Sequence, residues 1–180
     1  MYSYKLRNIV NEAINRFLIF ESAISPIEAI VYHRSFGGLQ KENFENELWF
    51  SNEVFPDKNH GDVIQKCRIR MNNPLIVDAQ GESWSSPLYH WMYDDNGNQI
   101  KQANNPRLLK MAPIEVWKAV EEDDEGDLEW GSIPWYVKHG YIKGNYDGII
   151  IKNISETCQG NFYCDDYIIF DYNQIIEIIK

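Results

Sequence analysis

The chain has 180 residues, of which 44% are hydrophobic and 14% aromatic, so we expect a packed domain rather than a disordered polypeptide. Its 17 basic and 27 acidic residues give a net charge of −10, which disfavours general nucleic-acid binding because phosphate contacts need a basic face. Three cysteines and four histidines lack disulfide or zinc-ligand spacing, so we expect no metal and a reducing compartment. No apolar run approaches the roughly 20 residues of a membrane span.

The N-terminal residues predict an amphipathic helix from about residue 4 to residue 20. Its apolar positions recur at steps of three and four residues: Leu6, Ile9, Val10, Ala13, Ile14, Phe17 and Leu18. The opposite face is polar, and Ser25-Pro26 ends the unit. This pattern is more typical of a helix that packs on a sheet than of one that binds a partner.

Four strands are predicted in the next part of the chain, at residues 29–34, 48–52, 63–71 and 75–78. In the first strand, His33 and Arg34 must face opposite ways because side chains alternate, so we expect one of them in a cleft. The alternatives are a hydrogen-bonded core histidine and a solvated edge arginine. The third strand carries a basic row that could hold phosphates, although a solvent-facing row is the simpler interpretation: Lys66, Arg68 and Arg70.

The pattern weakens between residues 81 and 146. A short helix is predicted from four apolar side chains: Trp84, Leu88, Trp91 and Met92. A second helix is predicted after Pro113, which suits a first helical turn, and an acidic loop follows at 121–129. The aromatic residues of 130–141 form either a lid over a site or a satellite core, and the core is the simpler interpretation.

The C-terminal part predicts two more strands and a final apolar segment at 174–179. Residues 149–151 form an apolar run typical of a strand covered on both faces, and a polar loop is predicted at 154–163. Asp165 and Asp166 then lead into an aromatic and β-branched strand. A carboxylate there costs free energy unless it is solvated, hydrogen-bonded or used, so Asp166 is a candidate catalytic acid. The alternative is a charged strand entry that prevents edge pairing.

Three separated motifs, taken together, resemble a known superfamily. They are Tyr32-His33-Arg34-Ser35, Leu48-Trp49-Phe50-Ser51, and Asp166-Tyr167-Ile168-Ile169-Phe170-Asp171 with Gln174. They are similar to the His-Gly-Ser/Thr, Gly-x-Tyr-Phe-Ala and Glu-Tyr-x-x-(Tyr/Phe)-Asp-x-x-Gln segments of ADP-ribosyltransferases, in the diphtheria-toxin and poly-ADP-ribosyltransferase branch. Residues 73–78 and 146–150 also resemble small phage and mobile-element members, which are often parts of large polyproteins.

The resemblance implies an α+β fold over a single domain, residues 1–180. Its core would be a split, mostly antiparallel sheet of the ADP-ribosyltransferase type, with an N-terminal helix and helical insertions. The implied activity is that of an NAD-dependent mono-ADP-ribosyltransferase, a glycosyltransferase whose acceptor is a macromolecule, more readily a protein than a nucleic acid. A phage or toxin-type effector of this kind would act in the cytoplasm of a host cell, away from membranes.

The resemblance also assigns site residues. Asp166 and His33 would be catalytic, and the NAD-binding residues would be His33, Arg34, Ser35, Trp49, Phe50 and Ser51. Asp166 would stabilise the positive charge that develops as the nicotinamide–ribose bond breaks, and His33 would hydrogen-bond a ribose hydroxyl. Trp49 would stack on the nicotinamide ring, while Arg34 and Ser35 would meet its amide. These roles require His33, Trp49 and Asp166 to converge on one pocket.

Two departures from the family pattern leave alternatives open. The usual Glu is Asp166, one methylene shorter, and the usual Gly is Arg34, whose side chain would either obstruct the pocket or grip the dinucleotide phosphates. Arg34 could instead match the first-strand Arg of the cholera-toxin-like branch, but the Glu-x-Glu or Gln-x-Glu of that branch is missing. The alternative functions are a catalytically inactive acidic inhibitor on the same fold and an NAD glycohydrolase.

Overall fold

The computed structural model describes residues 25–55, 58–86, 90–93, 96–97, 99–102, 129–155 and 162–180. The predicted helix at 4–20, the helix after Pro113 and most of the acidic loop lie outside these ranges. No helix within the described ranges has the length and apolar composition needed to cross a membrane.

Nine strands and one α-helix occupy the described ranges. The strands are β1 (Ile27–Ser35), β2 (Leu48–Ser51), β3 (Val63–Met71), β4 (Pro74–Asp78), β5 (His90–Tyr93), β6 (Gln99–Gln102), β7 (Gly148–Ser155), β8 (Tyr163–Ile169) and β9 (Ile175–Ile179). The helix α1 spans Ile133–Lys138, and short 3₁₀ turns lie at Lys41–Asn43, Lys58–His60, Trp130–Ser132 and Tyr172–Gln174.

Seven of these strands form one sheet in the order β4-β7-β8-β2-β1-β3-β9, while β5 and β6 form a separate hairpin. Only β4 and β7 are parallel, and every other neighbouring pair is antiparallel. The predicted α+β class with a mostly antiparallel sheet is therefore confirmed. β1 and β2 are joined at a single register pair, Tyr32 with Ser51, so the sheet nearly separates there.

The sheet curls, and it carries a hydrophobic cluster on each face. The first cluster contains Trp130, Ile133, Val137, Ile149, Ile151 and Ile168; the second contains Val31, Phe50, Cys67, Ile69, Met71, Ile150 and Ile169. Met71 at the end of β3 lies against Gly148 of β7, although three strands separate β3 from β7 in the sheet. The second cluster is therefore enclosed by the curl, which explains why Ile149, Ile150 and Ile151 are all buried, as predicted.

The predicted strands are present, but the predicted end of β7 was wrong. Residues 154–155 were expected in a loop, yet they continue β7, because the register shifts between Ile151 and Ile154 and Asn153 adopts a positive φ of 53°. This bulge turns two polar residues outward and returns Ile154 to the first cluster. Because the bulge breaks the alternation of side chains, the sequence pattern did not predict that the strand continues past Ile151.

The helix predicted from Trp84 to Met92 was also wrong. Trp84 lies in a turn closed by the Ser86 amide and the Ser83 carbonyl at 2.9 Å. Trp91 and Met92 belong to β5, which pairs with β6. Hairpin pairing overrode an apolar spacing that suits either a helix or a strand.

The aromatic region 130–141 belongs to the first cluster and contains a helix that the sequence pattern missed. Pro134 occupies the first turn of α1, and Gly140 ends it with a φ of 76°. Trp130, Ile133 and Val137 are buried against the sheet, whereas Trp135 and Tyr141 are about half exposed. The core interpretation is therefore confirmed for the buried members of this region.

Candidate functional site

The site begins as one row of residues that crosses the middle of the sheet. Asp166 of β8 pairs with Ser51 of β2, and Ser51 pairs with Tyr32 of β1. Directly opposed residues of antiparallel strands point to the same face, so these three side chains share a face. Arg34 and Trp49 lie two residues away on the same face.

An open cleft of about 360 Å³ lies over this row, where β1 and β2 diverge. It is lined by Tyr32, Arg34, Trp49, Phe50, Ser51, Val54, Phe55, His60, Ile64, Trp84 and Asp166. Its volume falls within the roughly 300–1,000 Å³ of small-molecule sites. Its walls are largely aromatic, with a carboxylate and a guanidinium among them, which is the composition of a site that orients a planar organic ligand.

Asp166 is the most buried charged side chain among the described residues, at 4% exposure. The Cys164 thiol, two residues earlier on the same face, donates to its Oδ1 at 3.4 Å. Asp165 points to the other face, where its Oδ1 accepts a hydrogen bond from the Asn153 amide at 3.0 Å. β8 is paired on both sides, so the acid pair has no sheet edge to protect, and Asp166 is a carboxylate held inside a cleft.

Trp49 forms a fixed aromatic wall beside this carboxylate. Its indole Nε1 donates to Glu47 Oε1 at 3.2 Å. Its ring meets Trp84 edge-on, with centroids 4.6 Å apart and planes inclined by 75°. Two contacts from different parts of the chain therefore set the orientation of the indole.

Arg34 closes the opposite side of the cleft by holding a loop. Its Nε donates to the Phe55 carbonyl and its Nη1 to the Gly61 carbonyl, each at 2.9 Å. The Phe55 ring in turn contacts the rings of His60 and Phe162, at 5.0 and 5.9 Å. The guanidinium thus shapes the cleft wall through backbone carbonyls, a role that none of the sequence-based alternatives for Arg34 included.

His33 does not join Asp166. Because Tyr32 and Arg34 face the cleft, His33 between them faces the second cluster. Its Nδ1 donates to the Trp49 carbonyl at 2.8 Å, and its ring lies 5.4 Å from that of Phe50. Burial lowers the pKa of this imidazole. The expected convergence of His33, Trp49 and Asp166 is therefore corrected to Trp49 with Asp166, and His33 is a half-buried, hydrogen-bonded histidine on the other face of the sheet.

The remaining predicted residues divide between the cleft and its surroundings. Ser51 borders the cleft and donates its hydroxyl hydrogen to the Glu53 carbonyl. Phe50 borders it too, but it is 2% exposed and packs in the second cluster. Ser35 is not among the lining residues, and its hydroxyl accepts a hydrogen bond from the Gly38 amide at 2.9 Å.

Sequence reasoning missed six lining residues: Tyr32, Val54, Phe55, His60, Ile64 and Trp84. Tyr32 could have been found, because it must share a face with Arg34 on a strand. Ile64 lies on β3, and the other four lie on loops or a 3₁₀ turn, where no periodicity indicates direction. Within the described ranges, no three His, Cys, Asp or Glu side chains gather as metal ligands would.

Comparisons with known proteins add no relative. No family model matches the chain, and neither a curated protein nor a solved structure matches it.

Proposed function

We propose that the cleft binds NAD and that the chain transfers a single ADP-ribose from it to a macromolecular acceptor, more readily a protein. The observation that carries this proposal is the buried Asp166 carboxylate beside the fixed indole of Trp49. Both belong to the motifs that resemble ADP-ribosyltransferases, and both line one cleft although 117 positions separate them (166 − 49).

The residues fit a nicotinamide riboside in two respects. Trp49, Tyr32 and Phe55 offer aromatic surface to a planar ring. The chemistry that NAD supplies is a glycosidic bond whose cleavage develops positive charge on the ribose. A preoriented carboxylate such as Asp166 stabilises that charge better than water does, because it needs no reorganisation.

The cleft differs from the family pattern in that it lacks the imidazole of His33. His33 faces away from the cleft, so we assign it no part in catalysis. Tyr32 and Arg34 occupy the β1 positions on the Asp166 face, and the contacts to the ribose and the amide would come from that pair. The mostly antiparallel sheet, which nearly separates at the cleft, supports an ADP-ribosyltransferase-like split sheet as part of the same proposal.

The test uses isotopically labelled NAD, a cell lysate as the source of acceptors, and two matched variants. Asp166→Asn keeps the size of the side chain but removes its charge, so we expect transfer of label to fall by about 100-fold or more. Asp165→Asn makes the same change one residue away on the opposite face and should retain wild-type transfer. Far-UV circular dichroism checks that both variants fold.

Equal transfer by wild type and Asp166→Asn would overturn the assignment of Asp166. Absence of any labelled acceptor, with nicotinamide released by wild type alone, would replace the transferase with a glycohydrolase. Absence of both reactions would reject NAD cleavage.

The position of His33 favours one second candidate, a catalytically inactive acidic binding protein on the same fold. Without the imidazole in the cleft, and with a shorter acid than the family has, the site would lack parts of the catalytic set. Calorimetry distinguishes the two functions: heat of NAD binding that disappears in Trp49→Ala supports the enzyme. Capture of a partner protein with no NAD binding supports the inhibitor.

A further inference from the structure

A second groove, of about 620 Å³, lies between the segment before β2 and the helix α1. Its lining residues are Glu45, Asn46, Glu47, Trp135, Lys138 and His139. The motifs and the proposed reaction use none of them. Its walls combine two carboxylates with an exposed aromatic surface.

The aromatic wall is a stack of three nearly parallel rings, those of Trp135, His139 and Tyr141. The Trp135 ring stacks on His139 at 4.1 Å and on Tyr141 at 5.4 Å, with interplanar angles of 24° and 21°. His139 is held in place because its Nδ1 donates to the Trp135 carbonyl at 2.8 Å. Trp135 is nevertheless 49% exposed and Tyr141 46% exposed, so the stacked rings leave a contiguous aromatic surface open to solvent.

Glu45 and Glu47 form the carboxylate wall of the groove, beside this aromatic stack. Glu45 is exposed at the rim, and Glu47 lies deeper. The one lysine of the groove is already engaged: Lys138 Nζ donates to the Asn46 carbonyl, lies 3.9 Å from Glu47 Oε2, and sits 5.4 Å from the centre of the Phe170 ring. The groove therefore offers a negative rim beside an indole.

Glu47 also connects the groove to the cleft. One carboxylate oxygen accepts from the Trp49 indole at 3.2 Å, while the other faces Lys138. A single residue thus separates the groove from the aromatic wall of the proposed NAD site. A chain docked in the groove would lie next to the position where ADP-ribose becomes available.

We propose that this groove binds an arginine-containing segment of a partner protein, which is the acceptor or carries it. A guanidinium packs against aromatic rings and pairs with carboxylates through its planar fork, so its chemistry matches both walls. The net charge of −10 attracts such a segment and repels the phosphates of a nucleic acid. The identification of the segment as acceptor rests on the proposed transferase function; binding to the groove does not.

The test measures fluorescence anisotropy of a labelled Gly/Ser peptide that contains two arginines, at physiological salt. The same peptide with citrulline, which keeps the shape but loses the charge, should bind about tenfold more weakly. Trp135→Ala should weaken arginine-peptide binding about tenfold, and Glu45→Gln about threefold. Glu42→Gln removes the same charge three residues outside the groove and should leave binding unchanged.

If Glu45→Gln and Glu42→Gln weakened peptide binding equally, overall charge alone would explain the binding, and the proposal would be overturned. Unchanged binding in Trp135→Ala, or tighter binding of a single-stranded oligonucleotide than of the peptide, would overturn it as well. Asp166→Asn should bind the peptide like wild type. Peptide binding without NAD cleavage would therefore reject the transferase alone, and NAD cleavage without groove-dependent binding would reject the groove alone.

Discussion

His33 shows how the register of β1 decides which of its side chains face the cleft. Its neighbours Tyr32 and Arg34 face Asp166 because Tyr32 is the residue of β1 that pairs with β2. A register shifted by one residue would exchange these faces and bring the imidazole to the carboxylate. In the observed register, the imidazole is instead half-buried and donates to the Trp49 carbonyl.

The burial of His33 predicts a pH dependence of stability. Burial lowers its folded-state pKa below the unfolded value of about 6.5, so the unfolded chain binds the proton more readily. The stability contribution is fully present above about pH 6.5 and is lost as the pH falls from there through the folded-state pKa. Thermal unfolding between pH 8 and 5 should therefore show a steeper loss of stability in wild type than in His33→Gln.

His139→Gln is the control for this measurement, because His139 is exposed and outside the sheet. It should keep the wild-type slope below pH 6.5. A His33→Gln variant with that same slope would contradict the buried neutral imidazole.

At the scale of elements, the connection between β2 and β3 is held by its fit to the end of β1. The Gly61 carbonyl accepts from Arg34, and Gly61 itself has a φ of 116°. A Cβ at this position would lie 2.0 Å from the Ser35 carbonyl carbon, which leaves no space for a side chain. The loop that carries Phe55 and His60 into the cleft wall thus depends on one glycine.

Gly61→Ala should destabilise the protein by at least about 2 kcal/mol, because strain at positive φ adds to a clash with backbone atoms. It should also reduce NAD binding, since Arg34 would lose one of its anchors. Urea unfolding and NAD titration measure the two effects. Gly37→Ala, which meets no atom within 4 Å, is the matched control and should change stability by less than about 0.5 kcal/mol. Equal effects of both substitutions would contradict the close approach at Gly61.

At the scale of the whole molecule, one strand joins the two hydrophobic clusters. Along β8, Ile168 enters the first cluster and Ile169 the second, and both are fully buried. A cavity left by a truncated side chain on either face therefore perturbs the same strand, β8. This strand pairs with β7 on one side and with β2 on the other. We expect the two clusters to unfold together.

Ile168→Ala and Ile169→Ala should each cost about 2–5 kcal/mol, as buried Ile→Ala substitutions do. In each variant, tryptophan fluorescence and far-UV circular dichroism should report a single coincident urea transition. Ile76, which is 38% exposed, provides a control: Ile76→Ala should reduce the free energy of unfolding by less than either substitution. Two separated transitions in one variant would show that the clusters are independent units.

The sequence by itself determined much of the strand content and the α+β class. The segments that became β1, β2, β3, β4, β7 and β8 are rich in β-branched and aromatic residues and are bounded by turn formers, which are local signals. It also singled out Asp166 and Trp49 as candidates, through motifs that resemble a known superfamily. Both line the cleft, while the catalytic role of Asp166 and the NAD-binding role of Trp49 stay predictions.

Only the tertiary structure decided which side chains meet. The Asp166–Ser51–Tyr32 row depends on how β8, β2 and β1 pair, and register between distant strands leaves no mark in the alternation of any one of them. The sequence shows that His33 and Arg34 face opposite ways, but the pairing selects which of them meets the cleft. The walls from Phe55, His60 and Trp84 lie on loops whose positions follow from long-range contacts such as the Arg34 hydrogen bonds. A site assembled from distant segments is therefore fixed by packing and pairing, which act only in the folded chain.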